Sequence, residues 1–86
     1  MAKANEPLTL RECNEGDIVK VKRILPGPIA RRLREMGFIP DATVEIVKYA
    51  PLKDPIEVVV MGYHVSLRLD EAEWIEVERT GRKSAS

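Results

Sequence analysis

Apolar and polar side chains alternate in five short segments, and turn-forming residues bound each one. In Ile18–Ile24, Val19 and Val21 share one face and Lys20 and Lys22 the other. Val44–Tyr49, Ile56–Met61 and Val65–Leu69 repeat the pattern, and Trp74-Ile75-Glu76-Val77-Glu78 closes the series. A period of two places one side-chain set on each face of a strand, so these segments read as strands with one buried face. Leu8-Thr9-Leu10 is a short apolar opening that reads as an edge strand. Five short strands form a sheet with exposed edges unless the sheet closes, so a small barrel is expected.

One segment breaks the period. After Pro26-Gly27-Pro28, the residues Ile29, Leu33 and Met36 recur at i, i+4 and i+7, the spacing of one helical face. Pro28 suits a first helical turn, where its missing N–H has no partner in any case. Gly37 stands where a helix ends in a left-handed residue. A single helix over 28–36 is expected. Phe38-Ile39-Pro40-Asp41-Ala42 reads as a turn and Ala50-Pro51-Leu52-Lys53-Asp54-Pro55 as a loop, because its prolines remove ladder donors. Gly62-Tyr63 fits the centre of a type II′ hairpin between Met61 and His64. Asp70-Glu71-Ala72-Glu73 reads as a polar turn or a single helical turn. Residues 1–7 read as a flexible N-terminal arm and 79–86 as a disordered tail, leaving 8–78 as the domain.

Size and charge narrow the function. The chain has 86 residues, one domain, and a domain of this size buries only roughly 60–65% of its unfolded surface. So thin a core leaves little room for a deep catalytic cleft. Lys plus Arg and Asp plus Glu are each 14, for no net charge, whereas a dedicated nucleic-acid binder carries a basic excess. No nucleic-acid partner is expected. With one cysteine, Cys13, no internal disulfide can form. The first residues lack an apolar leader, and the run Val58-Val59-Val60-Met61 is far short of the ~20 residues of a membrane span. These features point to a cytoplasmic protein that is not itself embedded in a membrane.

The residues that carry chemistry are few. Cys13 reads as a small apolar side chain near the first strand. His64 follows the hairpin turn, and Glu57 is placed to lie across that hairpin from Ser66 or His64. Two such groups suit ferrous iron in type but do not close a metal site, so neither a metal site nor a cofactor is expected. The glycines are too widely spaced for a phosphate loop. No nucleophile and base stand together, so the chain is not expected to be an enzyme.

Contact chemistry is better represented. Arg31, Arg32 and Arg34, preceded by Arg23, form the one local basic cluster. Guanidinium forks suit carboxylates as well as phosphates, and the neutral total favours an acidic protein surface. Leu52, flanked by Pro51 and by Lys53-Asp54-Pro55, and Phe38 after the helix are candidate exposed apolar anchors. The expected partner-binding residues are Arg31, Arg32, Arg34, Leu52, Lys53 and Asp54.

The order of several pieces resembles a known family: Glu15-Gly16-Asp17, Arg31-Arg32-Leu33-Arg34-Glu35-Met36-Gly37-Phe38-Ile39-Pro40, Ala50-Pro51-Leu52-Lys53-Asp54-Pro55-Ile56, Gly62-Tyr63, Val65-Ser66-Leu67-Arg68 and Glu71-Ala72-Glu73-Trp74-Ile75. Over residues 8–78 the chain is similar to the FeoA family, ferrous iron transport protein A. The resemblance implies an SH3-like barrel of about five antiparallel strands with one inserted helix. It also implies a bacterial cytoplasmic accessory of ferrous iron uptake, whose partner is the cytosolic, G-protein-bearing part of a membrane Fe(II) transporter. Any self-association is expected to be weak. Two departures stand out: Lys53 where the family often has glycine before Asp-Pro, and Asp41 where it often has glycine after the turn proline. Both are expected to alter turn geometry more than function. The alternatives are an SH3-like module of a metal-dependent transcription regulator or nucleic-acid-binding protein, and a module that senses or carries a transition metal ion.

Overall fold

The structure is a computed structural model, and it describes residues 8–82. Six strands form one antiparallel sheet in the order β1-β6-β2-β3-β4-β5. They are β1 Leu8–Thr9, β2 Asp17–Ile24, β3 Thr43–Tyr49, β4 Ile56–Val60, β5 Tyr63–Leu67 and β6 Ile75–Arg82. A single 3₁₀ turn, Leu10–Glu12, follows β1. Helix α1 is Ala30–Glu35, and a four-residue helix α2, Leu69–Ala72, joins β5 to β6.

The alternation in the sequence sets the two faces of the sheet. Val19, Val21, Val44, Ile46, Ile56, Val58, Val60, Leu67, Ile75 and Val77 point inward and are buried. Leu10, Leu33 and Phe38 complete the core from outside the sheet. Register shifts in β2 against β6 and in β3 against β4 mark bulges, which increase the local twist and curl a small sheet around its core.

Several expectations are corrected. The strands number six rather than five, because Leu8–Thr9 forms the edge strand its sequence suggests, paired with Val77 and Glu76, while Leu10 turns into the 3₁₀ segment. The helix is shorter than 28–36, because Pro28 and Ile29 belong to the turn before it. Leu69 leaves the strand period and begins α2. The last strand does not stop at Glu78: β6 runs on to Arg82, with Ile18 opposite Gly81 and Asp17 opposite Arg82. Residues 79–82 of the expected tail are therefore ladder, held by the long partner strand β2. The expected arm over 1–7 and the remainder of the tail, 83–86, lie outside the described residues.

The β4–β5 hairpin also differs by one residue from the sequence reading. Its two central residues are Met61 and Gly62, with Val60 opposite Tyr63. Both central residues have positive φ, 53° and 82°. That is a type I′ turn over Met61-Gly62 rather than the expected II′ turn over Gly62-Tyr63, and its twist suits the flanking strands.

A candidate docking face

The six expected contact residues fall on two segments, α1 and the β3–β4 loop, and a third element links them. In the loop, Leu52 is 90% exposed. Lys53 is exposed beside it with φ 71°. Asp54 is already engaged: its Oδ1 accepts the N–H of Leu69 at 3.0 Å, at the first residue of α2. On α1, Arg31 lies 3.3 Å from Glu35 in an i, i+4 pair on the solvent face. Arg32 donates from Nη1 to Glu71 Oε2 at 2.8 Å, which ties α1 to α2. Arg34 is exposed and makes no ion pair among the described residues. Arg23 is occupied elsewhere, donating to the buried Glu76 at 2.7 Å.

Helix α2 is thus the joint between the two segments. Glu71 accepts the Arg68 backbone N–H through Oε1 at 3.0 Å while its other oxygen takes Arg32. Ala72 is fully buried and Leu69 packs against the core. Behind α2, Trp74 lies against the Pro26-Gly27-Pro28 turn so closely that a Cβ on Gly27 would stand 2.7 Å from Cζ3 of its ring. Any larger residue there would require the Trp74 ring to shift. The sequence shows the acidic residues of α2 but gives no sign that Glu71 is spoken for twice.

Beside the loop lies a groove of about 610 Å³ lined by Arg11, Cys13, Tyr49, Pro51, Lys53 and Leu69, among others. Its wall is fixed by the Tyr49 hydroxyl, whose proton goes to the Cys13 carbonyl oxygen, with the Arg11 carbonyl oxygen 3.4 Å away. Glu15 accepts the Tyr49 N–H at 2.9 Å. Cys13 is buried there as expected, and burial pushes its thiol from near 9 up to about 11. Such a thiol is a poor nucleophile and a poor ligand at neutral pH. Burial raises the Tyr49 hydroxyl in the same direction.

Two expected features change. Phe38 is fully buried rather than an exposed anchor, because the left-handed Gly37 (φ 110°) turns the chain back over the core immediately after α1. Its neighbour Ile39 takes the exposed position at 41%. The turns at Asp41 and Lys53 also keep a glycine-like geometry: φ is 73° and 71°. The two side chains are carried in the left-handed region, which favours glycine, at some strain.

His64 and Glu57 do meet, Nδ1 to Oε2 at 3.2 Å across the β4–β5 pair. Among the described residues, no three of His, Cys, Asp and Glu gather as a metal-holding group. No helix among the described residues is long and apolar enough to cross a membrane.

Comparison with known proteins agrees with this architecture. The model of the FeoA domain matches residues 8–79. The Fe(2+) transport protein A/Fe(2+) transporter FeoB fusion protein of Porphyromonas gingivalis is 38% identical over 80 residues, 92% of this chain. The matched stretch is about one-tenth (10%) of that relative's length. Among solved structures, the FeoA-like protein of Clostridium acetobutylicum superposes with a TM-score of 0.84 at 32% identity, covering 93% of this chain and 94% of that one. The FeoA of Stenotrophomonas maltophilia, solved as a complex with zinc and described as a procaryotic SH3 domain protein, gives 0.75 at 32% identity, covering 83% and 89%. With the family's domain running from β1 into β6 and a solved FeoA-like structure superposing over nearly the whole chain, this chain belongs to the FeoA family.

Proposed function

We propose that this chain is a cytoplasmic accessory of ferrous iron uptake that acts by contact, docking on the cytosolic, G-protein-bearing part of a membrane Fe(II) transporter. The observation that carries this is the Porphyromonas gingivalis relative, in which a domain 38% identical to this one is named as part of one polypeptide with a Fe(2+) transporter. A domain of the same family then has the transporter as its natural partner. In this reading the chain does no chemistry on iron, which is the transporter's cargo.

The face offered to the partner is the loop at Leu52 together with the solvent side of α1. Leu52 is an apolar anchor on a loop bounded by Pro51 and Pro55, so little freedom is lost when it docks. Arg31 and Arg34 supply exposed guanidinium groups on α1, while Arg32 and Asp54 tie α1 and the loop to α2. Orientation by charge and anchoring by an apolar side chain are separable contributions.

The test is binding of the full chain to the transporter's purified cytosolic domain by calorimetry. Leu52→Ala and the pair Arg31→Glu, Arg34→Glu are each expected to weaken binding about tenfold or more, with circular dichroism unchanged. The loss from the charge pair is expected to shrink as salt rises. Wild-type affinity in both folded variants would show that this face is the wrong one.

A further inference from the structure

The two edges of the sheet are guarded differently. β1 is only two residues long, and very short strands are one way proteins keep an edge from pairing. β5, at the other edge, is five residues long and reads Tyr-His-Val-Ser-Leu. It has no lysine, arginine, acidic residue or proline, and its register against β4 runs without a bulge. None of the usual edge protections is present on it.

The hairpin fixes which backbone groups face outward. The residues flanking a two-residue I′ turn exchange both of their hydrogen bonds, and bonded and non-bonded pairs then alternate. Val60–Tyr63, Val58–Val65 and Ile56–Leu67 are therefore the bonded pairs. The N–H and C=O groups of His64 and Ser66 point away from β4, to the open edge. Among the described residues, none of these four groups has a hydrogen-bond partner. The side chains of Tyr63, His64 and Ser66 are exposed, so nothing described covers that edge.

We infer that this edge pairs with the β5 of a second copy of the chain, across a two-fold axis at Val65. Antiparallel pairing about Val65 sets His64 opposite Ser66 of the other copy, and Ser66 opposite its His64. Those are the two residues with outward groups, so all four meet in four new hydrogen bonds. One inner face then brings Tyr63 over the other copy's Leu67, and Val65 meets Val65. No like charges are opposed, because the strand has none. Moving the axis to His64 or to Ser66 leaves only one of these two residues in a bonded pair within the strand, because the other then falls opposite a residue beyond Tyr63–Leu67. The strand is thus complementary to itself in a single register, as an isologous contact requires. This inference does not depend on the transporter reading.

A five-residue edge buries far less than the about 1,200 Å² of a standard interface, so the dimer is a transient one with a dissociation constant on the order of 0.1–1 mM. The test is sedimentation equilibrium of the full chain from about 10 µM to about 1 mM. Wild type is expected to pass from monomer towards dimer over that range. Ser66→Pro removes an outward N–H that β4 does not use, and proline is tolerated at such an edge position. It is expected to raise the dissociation constant at least tenfold while circular dichroism stays that of wild type. Ser66→Lys places a charge on the same edge without touching the backbone, and answers the question if the proline variant does not fold. A wild type that stays monomeric throughout, or a dimer that persists in the folded variants, would overturn the inference.

Discussion

The roles of Leu52 and Asp54 can be separated by one pair of substitutions. Asp54 Oδ1 accepts the Leu69 N–H at 3.0 Å, and that N–H belongs to the first turn of α2, where no intrahelical carbonyl is available. Removing the carboxylate in Asp54→Ala leaves the donor to solvent. Loss of a comparable capping acceptor costs about 1 kcal/mol, within a range of roughly 0.5–2. For a domain of this size 1 kcal/mol is about 4–8 °C in Tm. Asp54→Asn keeps an amide oxygen in the same place and is expected to lose less than half as much. Leu52→Ala removes a side chain that is 90% exposed, and a surface change of this kind stays within about 0.5 kcal/mol. Thermal melts followed by the emission of Trp74, the chain's one tryptophan, should therefore order the proteins as wild type and Leu52→Ala together, then Asp54→Asn, then Asp54→Ala. Calorimetry against the transporter domain should single out Leu52→Ala as the weak binder. An Asp54→Ala protein melting within about 1 °C of wild type, or a Leu52→Ala protein melting as low as Asp54→Ala, would refute the division of labour drawn from the structure.

Other substitutions probe the rest of the fold. Gly27→Ala drives a methyl to 2.7 Å from the Trp74 ring, and overpacking of this kind costs about 1–3 kcal/mol. A lowered Tm with a shift in tryptophan emission is expected, and combining it with Trp74→Leu should recover part of the loss in a double-mutant cycle. Met61→Asn supplies the residue a type I′ turn prefers at φ 53° and should raise stability by about 0.5–1 kcal/mol in urea unfolding; a fall would show that the packing of the Met61 side chain, whose Cγ lies 3.0 Å from where a Cβ on Gly37 would stand, outweighs the turn. Cys13, pushed up to about 11, should react with a thiol reagent at pH 8 about 100-fold more slowly than an ordinary cysteine, and unfolding should restore the rate. Between pH 9 and 11 the unfolded chain has released that proton and the folded chain keeps it, so stability should fall with rising pH, and less steeply in Cys13→Ala.

The strands were legible because a half-buried sheet imposes a period of two that no other structure demands, and Val19, Val44, Ile46, Val58 and Val60 all obey it. The helix was legible from Ile29, Leu33, Met36 and the glycine after it. What escaped depends on contacts between distant residues. Thr80-Gly81-Arg82 looks like a tail until β2 proves long enough to pair with it. Phe38 looks like a loop residue until the reversal at Gly37 is known. Leu69 fits a strand as well as a helix, and the Asp54 carboxylate waiting at its N–H settles the matter. In the docking face, the arginines were visible as a cluster, but that Glu71 had claimed Arg32 was not.

The extension of β6 to Arg82 decides where a longer polypeptide would leave the barrel. Arg82 stands opposite Asp17, and the residues just before Asp17 run along the groove that Pro51 and Lys53 also line. A segment continuing beyond β6 would leave at the end of the sheet where β2 begins, the end next to the residues that enter this groove. A module attached there would be held near that groove by its tether, and short flexible tethers give effective concentrations in the millimolar range. Contacts too weak to survive dilution between separate chains would then hold within one.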